Sequence, residues 1–121
     1  MSCTSGQRMF HNNEAFTILH TVYLDLKEDI SKDEMDSFME AVEELHRITI
    51  VRDFKHGAFE DLGDARAMQE FEYALVMGFQ NKEDYIIYQK HPIHSQVKNK
   101  LKPYLAGPPV TYDLKLFVKT K

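Results

Sequence analysis

Hydrophobic and polar residues alternate along residues 16–26. In the segment that follows, hydrophobic residues recur every three or four positions, which is the spacing of a helix. The alternation predicts a β-strand in which His20 is the one polar side chain of an otherwise apolar row. Ser31 and Glu34 have the spacing of a capping box, which predicts that a helix begins there. The apolar stripe of that helix comprises Met35, Phe38, Met39, Val42 and Leu45.

Three strands and a second helical region follow. Residues 49–59 predict the second strand, and residues 71–80 predict the third, in which Leu75 belongs to the inward row. Asn81 is a good helix cap, so the second helix begins after it; Pro92 interrupts that helix and can begin a new helical segment. The last strand, residues 110–118, is predicted to have an inward row of Tyr112, Leu114, Leu116 and Val118.

The order strand, helix, strand, strand, helix, strand predicts an α+β, ferredoxin-like βαββαβ fold. Such a fold has a four-stranded antiparallel sheet with its helices on one face. We expect it to occupy residues 16–121 as a single domain, after a flexible tail of residues 1–15. The sheet face without helices carries a largely apolar set: Leu19, Thr21, Tyr23, Ala74 and Val76. A second copy of the chain would bury these residues, so we expect a homodimer.

Composition and charge narrow the classes of partner. The chain has 121 residues and a formal net charge of −4, so it has no basic excess with which to bind nucleic acid. No apolar run approaches the roughly 18 residues that span a membrane, and the first fifteen residues lack the apolar core of a secretory signal. Cys3 is the single cysteine, which excludes an internal disulfide and fits a reducing compartment. We therefore expect a cytoplasmic protein.

Three polar side chains fall on apolar faces and are the candidates for chemistry. His20 lies in the inward row of the first strand, Tyr88 on the second helix, and His94 on the apolar side of the segment after Pro92. Buried polar groups need hydrogen-bond partners, so we expect these three to find one another, directly or through water. Two interpretations stay open, a core network that orients the second helix and a small polar site in a ligand pocket.

Histidine content also raises the question of a metal. His91 and His94 are three residues apart, but His91 precedes Pro92 and is expected to lie outside the helix. The spacing places no third ligand nearby, so we expect neither a metal nor an organic cofactor.

Two segments give the chain a family resemblance. These are YIIYQKHPIH at residues 85–94 and TILHTVYLDLK at residues 17–27, which contains the inward His20; a third strand ending in Phe79 accompanies them. Together they resemble the stress-responsive A/B barrel (Dabb) family over about residues 17–118. The resemblance implies a dimer in which two sheets close into an α+β barrel.

The resemblance also implies a site. Some plant members are polyketide cyclases that close a ring without a metal or organic cofactor. Their catalytic tyrosine and histidine correspond to Tyr88 and His94, and their pocket histidine corresponds to His20. Met39, Val42 and Leu105 stand where those cyclases line the pocket with aromatic residues.

We therefore expect a small homodimeric protein that binds a small hydrophobic carbonyl or phenolic compound. Whether it is an enzyme stays open; if it is, we expect a cofactor-independent cyclase or lyase type of acid/base catalyst, with Tyr88 and His94 as the catalytic pair. The expected ligand-binding residues are His20, Met39, Val42, Leu75 and Leu105. The alternatives are a non-enzymatic, stress-associated dimer with a buried His/Tyr network, and a monooxygenase-like dimeric barrel.

Overall fold

The computed structural model of the protein describes residues 16–117. The predicted tail of residues 1–15, which contains Cys3, lies outside the described residues, and so does Val118 at the end of the predicted last strand. Within the described range the chain forms four strands and three α-helices. The strands are β1 (Ile18–Leu24), β2 (Arg52–Ala58), β3 (Tyr73–Phe79) and β4 (Val110–Lys115). The helices are α1 (Lys32–Glu43), α2 (Lys82–Lys90) and α3 (Pro92–Leu101), with short 3₁₀ helices at Glu44–Arg47 and Lys102–Tyr104.

The sheet has the order β2-β3-β1-β4, and all of its pairings are antiparallel. This is the predicted ferredoxin-like arrangement, with β3 and β1 in the centre and β4 at an edge. The helices cover one face. Beneath them the core is made by the inward rows of the central strands and the apolar stripe of α1, including Leu24, Phe38, Val42, Leu75 and Phe79.

The helix boundaries follow from the predicted capping residues. The Ser31 hydroxyl accepts a hydrogen bond from the Glu34 N–H, and the Glu34 carboxylate accepts one from the Ser31 N–H, which completes the capping box. The Asn81 side chain accepts from the Asp84 N–H at the start of α2. Pro92 separates the second helical region into α2 and α3, as predicted.

One predicted row of side chains is on the wrong face. His20 pairs with Asp113 and Thr21 pairs with Tyr112, so Asp113 points toward the helices while Tyr112 and Leu114 lie on the open face. Tyr112 is 62% exposed and Leu114 is 40% exposed. The prediction that they face inward was therefore wrong, and the reason is that a row of side chains on an apolar open face reads like a core row.

The correction enlarges the apolar open face. This face now includes Val110, Tyr112 and Leu114 of β4 beside Leu19 and Tyr23 of β1. Gly78 of β3 lies on the same face, and the Phe16 ring packs so closely on it that a Cβ there would meet ring carbons. Within residues 16–117, no helix is long and apolar enough to cross a membrane.

Candidate functional site

A cavity of about 340 Å³ lies between the covered face of the sheet and helices α2 and α3. Its walls are mainly apolar. Five of the predicted site residues line it, namely His20, Leu75, Tyr88, His94 and Leu105. They come from strands β1 and β3, from both helices and from the segment after α3, so the fold gathers in one place residues that are far apart in sequence.

The break at Pro92 brings Tyr88 and His94 together. Tyr88 lies in the last turn of α2 and His94 in the first turn of α3, and the extended conformation of His91 between them redirects the chain. Proline has no N–H and disfavours helical geometry in the residue before it, which produces this break. As a result, the centroids of the Tyr88 and His94 rings lie 4.6 Å apart.

His20 is buried and has a carboxylate partner. Only 2% of the residue is exposed, and its Nδ1 lies 2.5 Å from Oδ1 of Asp113 on the neighbouring strand β4. The carboxyl group of Asp113 is about half exposed. A carboxylate can only accept, so a neutral His20 carries its proton on Nδ1 and leaves Nε2 as an acceptor. This pairing satisfies the imidazole and fixes its orientation.

Aromatic rings enclose His20 on the helix side. The ring centroids of Tyr85, Tyr88 and Phe79 lie 5.2, 6.1 and 6.1 Å from that of His20. Within residues 16–117, however, no hydrogen bond joins Tyr88 to His20 or to His94. The direct half of the expectation is therefore not met, and contact among the three through water stays a prediction. The His20 imidazole is hydrogen-bonded to Asp113 instead, and Tyr88 and His94 line the cavity.

Burial shifts the proton affinities of both residues beside the cavity. Burial raises the pKa of the Tyr88 phenol far above its usual range, and the neighbouring Tyr85 raises it further. Burial also lowers the pKa of His94, and the positive charge of Lys98 lowers it too, whereas a hydrogen bond to the Gln89 carbonyl opposes these effects. At neutral pH, Tyr88 is thus a hydrogen-bond donor and His94 is a neutral imidazole.

Two predicted pocket residues lie elsewhere. Val42 is fully buried in the core between α1 and the sheet. Met39 lines a separate surface depression of about 650 Å³ beside the start of α1, which also includes Leu26, Ile30 and Met35. Neither residue lines the cavity, although Leu45 of the same apolar stripe does.

His91 has a local role in the backbone. Its Nδ1 accepts a hydrogen bond from the Ile93 N–H at 3.0 Å, so it caps α3 and does not converge with His94 on a shared ligand. Across residues 16–117, no three histidine, cysteine, aspartate or glutamate side chains group in a way that could hold a metal ion.

Asp113 is the site residue that the sequence pattern missed. A predicted inward row of Tyr112 and Leu114 implies that Asp113 points outward, which is the opposite of its position in the structure. An inward histidine in β1 is the signal that could have found it, since a buried imidazole needs a polar partner on an adjacent strand.

The chain has detectable similarity to known proteins. The family model of the stress responsive A/B barrel domain matches residues 18–114. A stress-response A/B barrel domain-containing protein of Arabidopsis thaliana is 33% identical over 75 residues, which make up 62% of this chain. The match spans 65% of that protein, so slightly less than two thirds of its length is represented here.

Solved structures share the fold. A dimeric protein of unknown function with a ferredoxin-like fold from Bacteroides fragilis is 26% identical, with a TM-score of 0.65, over 83% of this chain and 96% of that one. The hydroxynitrile lyase of Passiflora edulis is 20% identical, with a TM-score of 0.70, over 88% of this chain and 99% of that one.

Proposed function

Because this chain belongs to the stress-responsive A/B barrel (Dabb) domain family, we propose that its cavity binds a small hydrophobic carbonyl or phenolic compound and transforms it by cofactor-independent acid/base chemistry. The observation that carries the proposal is the cavity of about 340 Å³, in which Tyr88 and His94 meet apolar walls. A few polar groups in a largely apolar cavity are the usual form of a small-molecule site.

His94 is the proposed base. Its lowered pKa keeps the imidazole neutral at physiological pH, so it can accept a proton from a carbon or oxygen acid in the cavity. An imidazole also returns that proton readily, because histidine titrates near neutrality.

Tyr88 is the proposed donor. Its raised pKa keeps the hydroxyl protonated, and burial of the ring excludes water that would compete for the hydrogen bond. A phenol in this state can donate to a carbonyl oxygen and stabilise the negative charge that develops there when His94 removes a proton.

His20 and Asp113 are proposed to position the ligand. The Asp113 carboxylate holds the His20 Nδ1–H, so Nε2 is presented as a fixed acceptor on the sheet side of the site. Leu75 and Leu105 would contact the apolar part of the compound. A hydroxynitrile lyase with the same fold supports the view that this architecture can hold a catalytic site.

A homodimer is the proposed assembly. The apolar open face, with Tyr112 62% and Val110 46% exposed, would be covered by a second copy, and the similar protein from Bacteroides fragilis is dimeric. We keep the cytoplasm as the proposed location, on the strength of the single cysteine.

The alternatives make different use of the same residues. In a purely structural dimer, Tyr88 and His94 would be satisfied by each other in a filled core, and the open cavity beside them argues for a ligand instead. A monooxygenase-like barrel would require haem or an oxidisable substrate, and a haem absorbance band in the purified protein would favour it.

The test is ligand-dependent thermal stability. We expect hydrophobic ketones and phenols, such as acetophenone and 4-propylphenol, to raise the melting temperature of the wild-type protein, because ligand binding to the folded state stabilises it. His94→Ala should abolish the rise while the protein stays folded. His46→Ala is the matched control, since His46 is exposed and outside the cavity. If no compound raises the melting temperature and His94→Ala lowers it strongly, the structural alternative replaces the proposal.

A further inference from the structure

We propose that the compound bound in the cavity carries an anionic head group that lies against Lys98 and Lys102 at the rim, with its hydrophobic body inside. This inference rests on the proposed function and narrows its ligand class to hydrophobic anions. Lys98 lies in α3 and Lys102 begins the 3₁₀ helix that follows; both line the cavity.

The charge of the cavity lining is one-sided. The lining contains no aspartate or glutamate, but it includes two lysines and two histidines. The chain as a whole has a formal net charge of −4, so the positive charge of the cavity lining is opposite in sign to the net charge of the protein. Such a local excess of positive charge attracts a negatively charged ligand and orients it as it enters.

The two lysines also lack an ion-pair partner in the part of the chain that the structure describes. Among the ion pairs of residues 16–117, none involves Lys98 or Lys102. They are four residues apart, where like charges on a helical surface repel. A carboxylate or phosphate placed between them would remove that repulsion.

Lys100 shows the contrast on the same helix. Its Nζ lies 2.7 Å from a carboxylate oxygen of Glu44, and it does not line the cavity. The protein therefore supplies an internal partner to the lysine that faces the 3₁₀ helix after α1. Among the described residues it supplies none to the two lysines that line the cavity.

The head group would be coupled to the proposed base. The positive charge of Lys98 contributes to the lowered pKa of His94. An anion bound at Lys98 would offset that charge and raise the pKa of His94. A neutral ligand of the same shape would lack this electrostatic effect.

The experiment compares three compounds with one hydrophobic body: 4-phenylbutanoate, 4-phenylbutyl phosphate and the neutral 4-phenylbutanamide. Calorimetric titration of the full chain should give at least one anion an affinity about tenfold above that of the amide, because charge-assisted hydrogen bonds are stronger than neutral ones. The tighter of the two anions identifies the head group. Lys98→Gln and Lys102→Gln should each reduce the preference for the anion, and Lys100→Gln should leave it unchanged. The proton resonances of His94 should report a higher pKa with the preferred anion than with the amide.

The outcomes separate this inference from the function on which it rests. Equal affinity for the anions and the amide would overturn the anionic head group and leave the hydrophobic ligand site in place. An equal loss of the preference for the anion in Lys100→Gln and Lys98→Gln would also overturn the anionic head group. The preference would then follow from the net charge of the protein and not from contact with Lys98. Failure of all three compounds to bind, together with the ketones and phenols, would overturn both proposals.

Discussion

The two faces of the sheet depart from the usual distribution of polar and apolar residues in opposite directions. The covered face buries an imidazole, His20, and draws the Asp113 carboxylate toward it, although the helices keep most of this face from water. The open face exposes the apolar side chains of Val110, Tyr112 and Leu114, because no helix within residues 16–117 covers them. Buried polar groups and exposed apolar rows both carry a cost in free energy. The partners that we propose are a ligand for the cavity on the covered face and a second copy for the open face.

Placing a charge on the open face should have the largest effect. Val76 lies on central strand β3, opposite Thr21 in the register, in the middle of this face. Val76→Lys would bury an unpaired ammonium group in the dimer, so we expect sedimentation to change from twice 14.2 kDa to a single 14.2 kDa chain or to aggregate. Gln96→Lys adds the same charge to an exposed position of α3 and should leave the mass unchanged. If the wild-type protein sediments as a monomer, the proposal that a second copy covers the open face is contradicted.

Removing the carboxylate from the covered face should have an intermediate effect. Asp113→Leu leaves the buried His20 imidazole without its partner, which should lower the free energy of unfolding by about 1–3 kcal/mol. Urea denaturation measures the change. The double variant His20→Leu with Asp113→Leu removes both polar groups and should lose less than the sum of the two single variants. Additive losses would show that the pair does not act as a unit.

Acidification should have the smallest effect and should report on His94. Its folded-state pKa is lowered, so below pH of about 6.5 the unfolded chain binds a proton more readily than the folded chain does. His94 therefore makes no contribution of this kind at high pH and destabilises the fold increasingly as the pH falls below that value. We expect the melting temperature of His94→Leu minus that of the wild type to be higher at pH 5 than at pH 8, because only the wild type loses stability by protonation of His94. An unchanged difference across this range would contradict the burial of His94.

Much of the fold could be predicted because its signals are local. The capping box at Ser31, the cap at Asn81 and the break at Pro92 each act through the backbone of neighbouring residues, and the structure confirms all three. The inward rows of β1 and β3 were equally clear, since each alternates with a less apolar face. In β4 the alternation was clear but its direction was not, because an apolar interface row and an apolar core row have the same pattern.

The candidate site was harder to predict because it depends on pairing between distant strands. His20, Tyr88 and His94 stand out as polar residues on apolar faces, and the structure brings all three to one cavity. Asp113 reaches His20 only through the register of β1 with β4, which no local pattern specifies. Met39 lies in the same apolar stripe as Leu45, yet Leu45 lines the cavity and Met39 lines the separate depression; a resemblance in sequence could not reveal that difference.

Methionine methyl resonances offer the most direct test of the ligand site. Met77 is fully buried and lines the cavity, whereas Met39 lines the separate depression beside α1, so the two report on different places in one spectrum. With ¹³C-methyl methionine protein, titration with 4-propylphenol or acetophenone should shift the Met77 resonance to saturation and leave the Met39 resonance in place. A shift of Met39 alone, or no shift of either resonance at any concentration, would contradict the account that the cavity beside Tyr88 and His94 is the binding site.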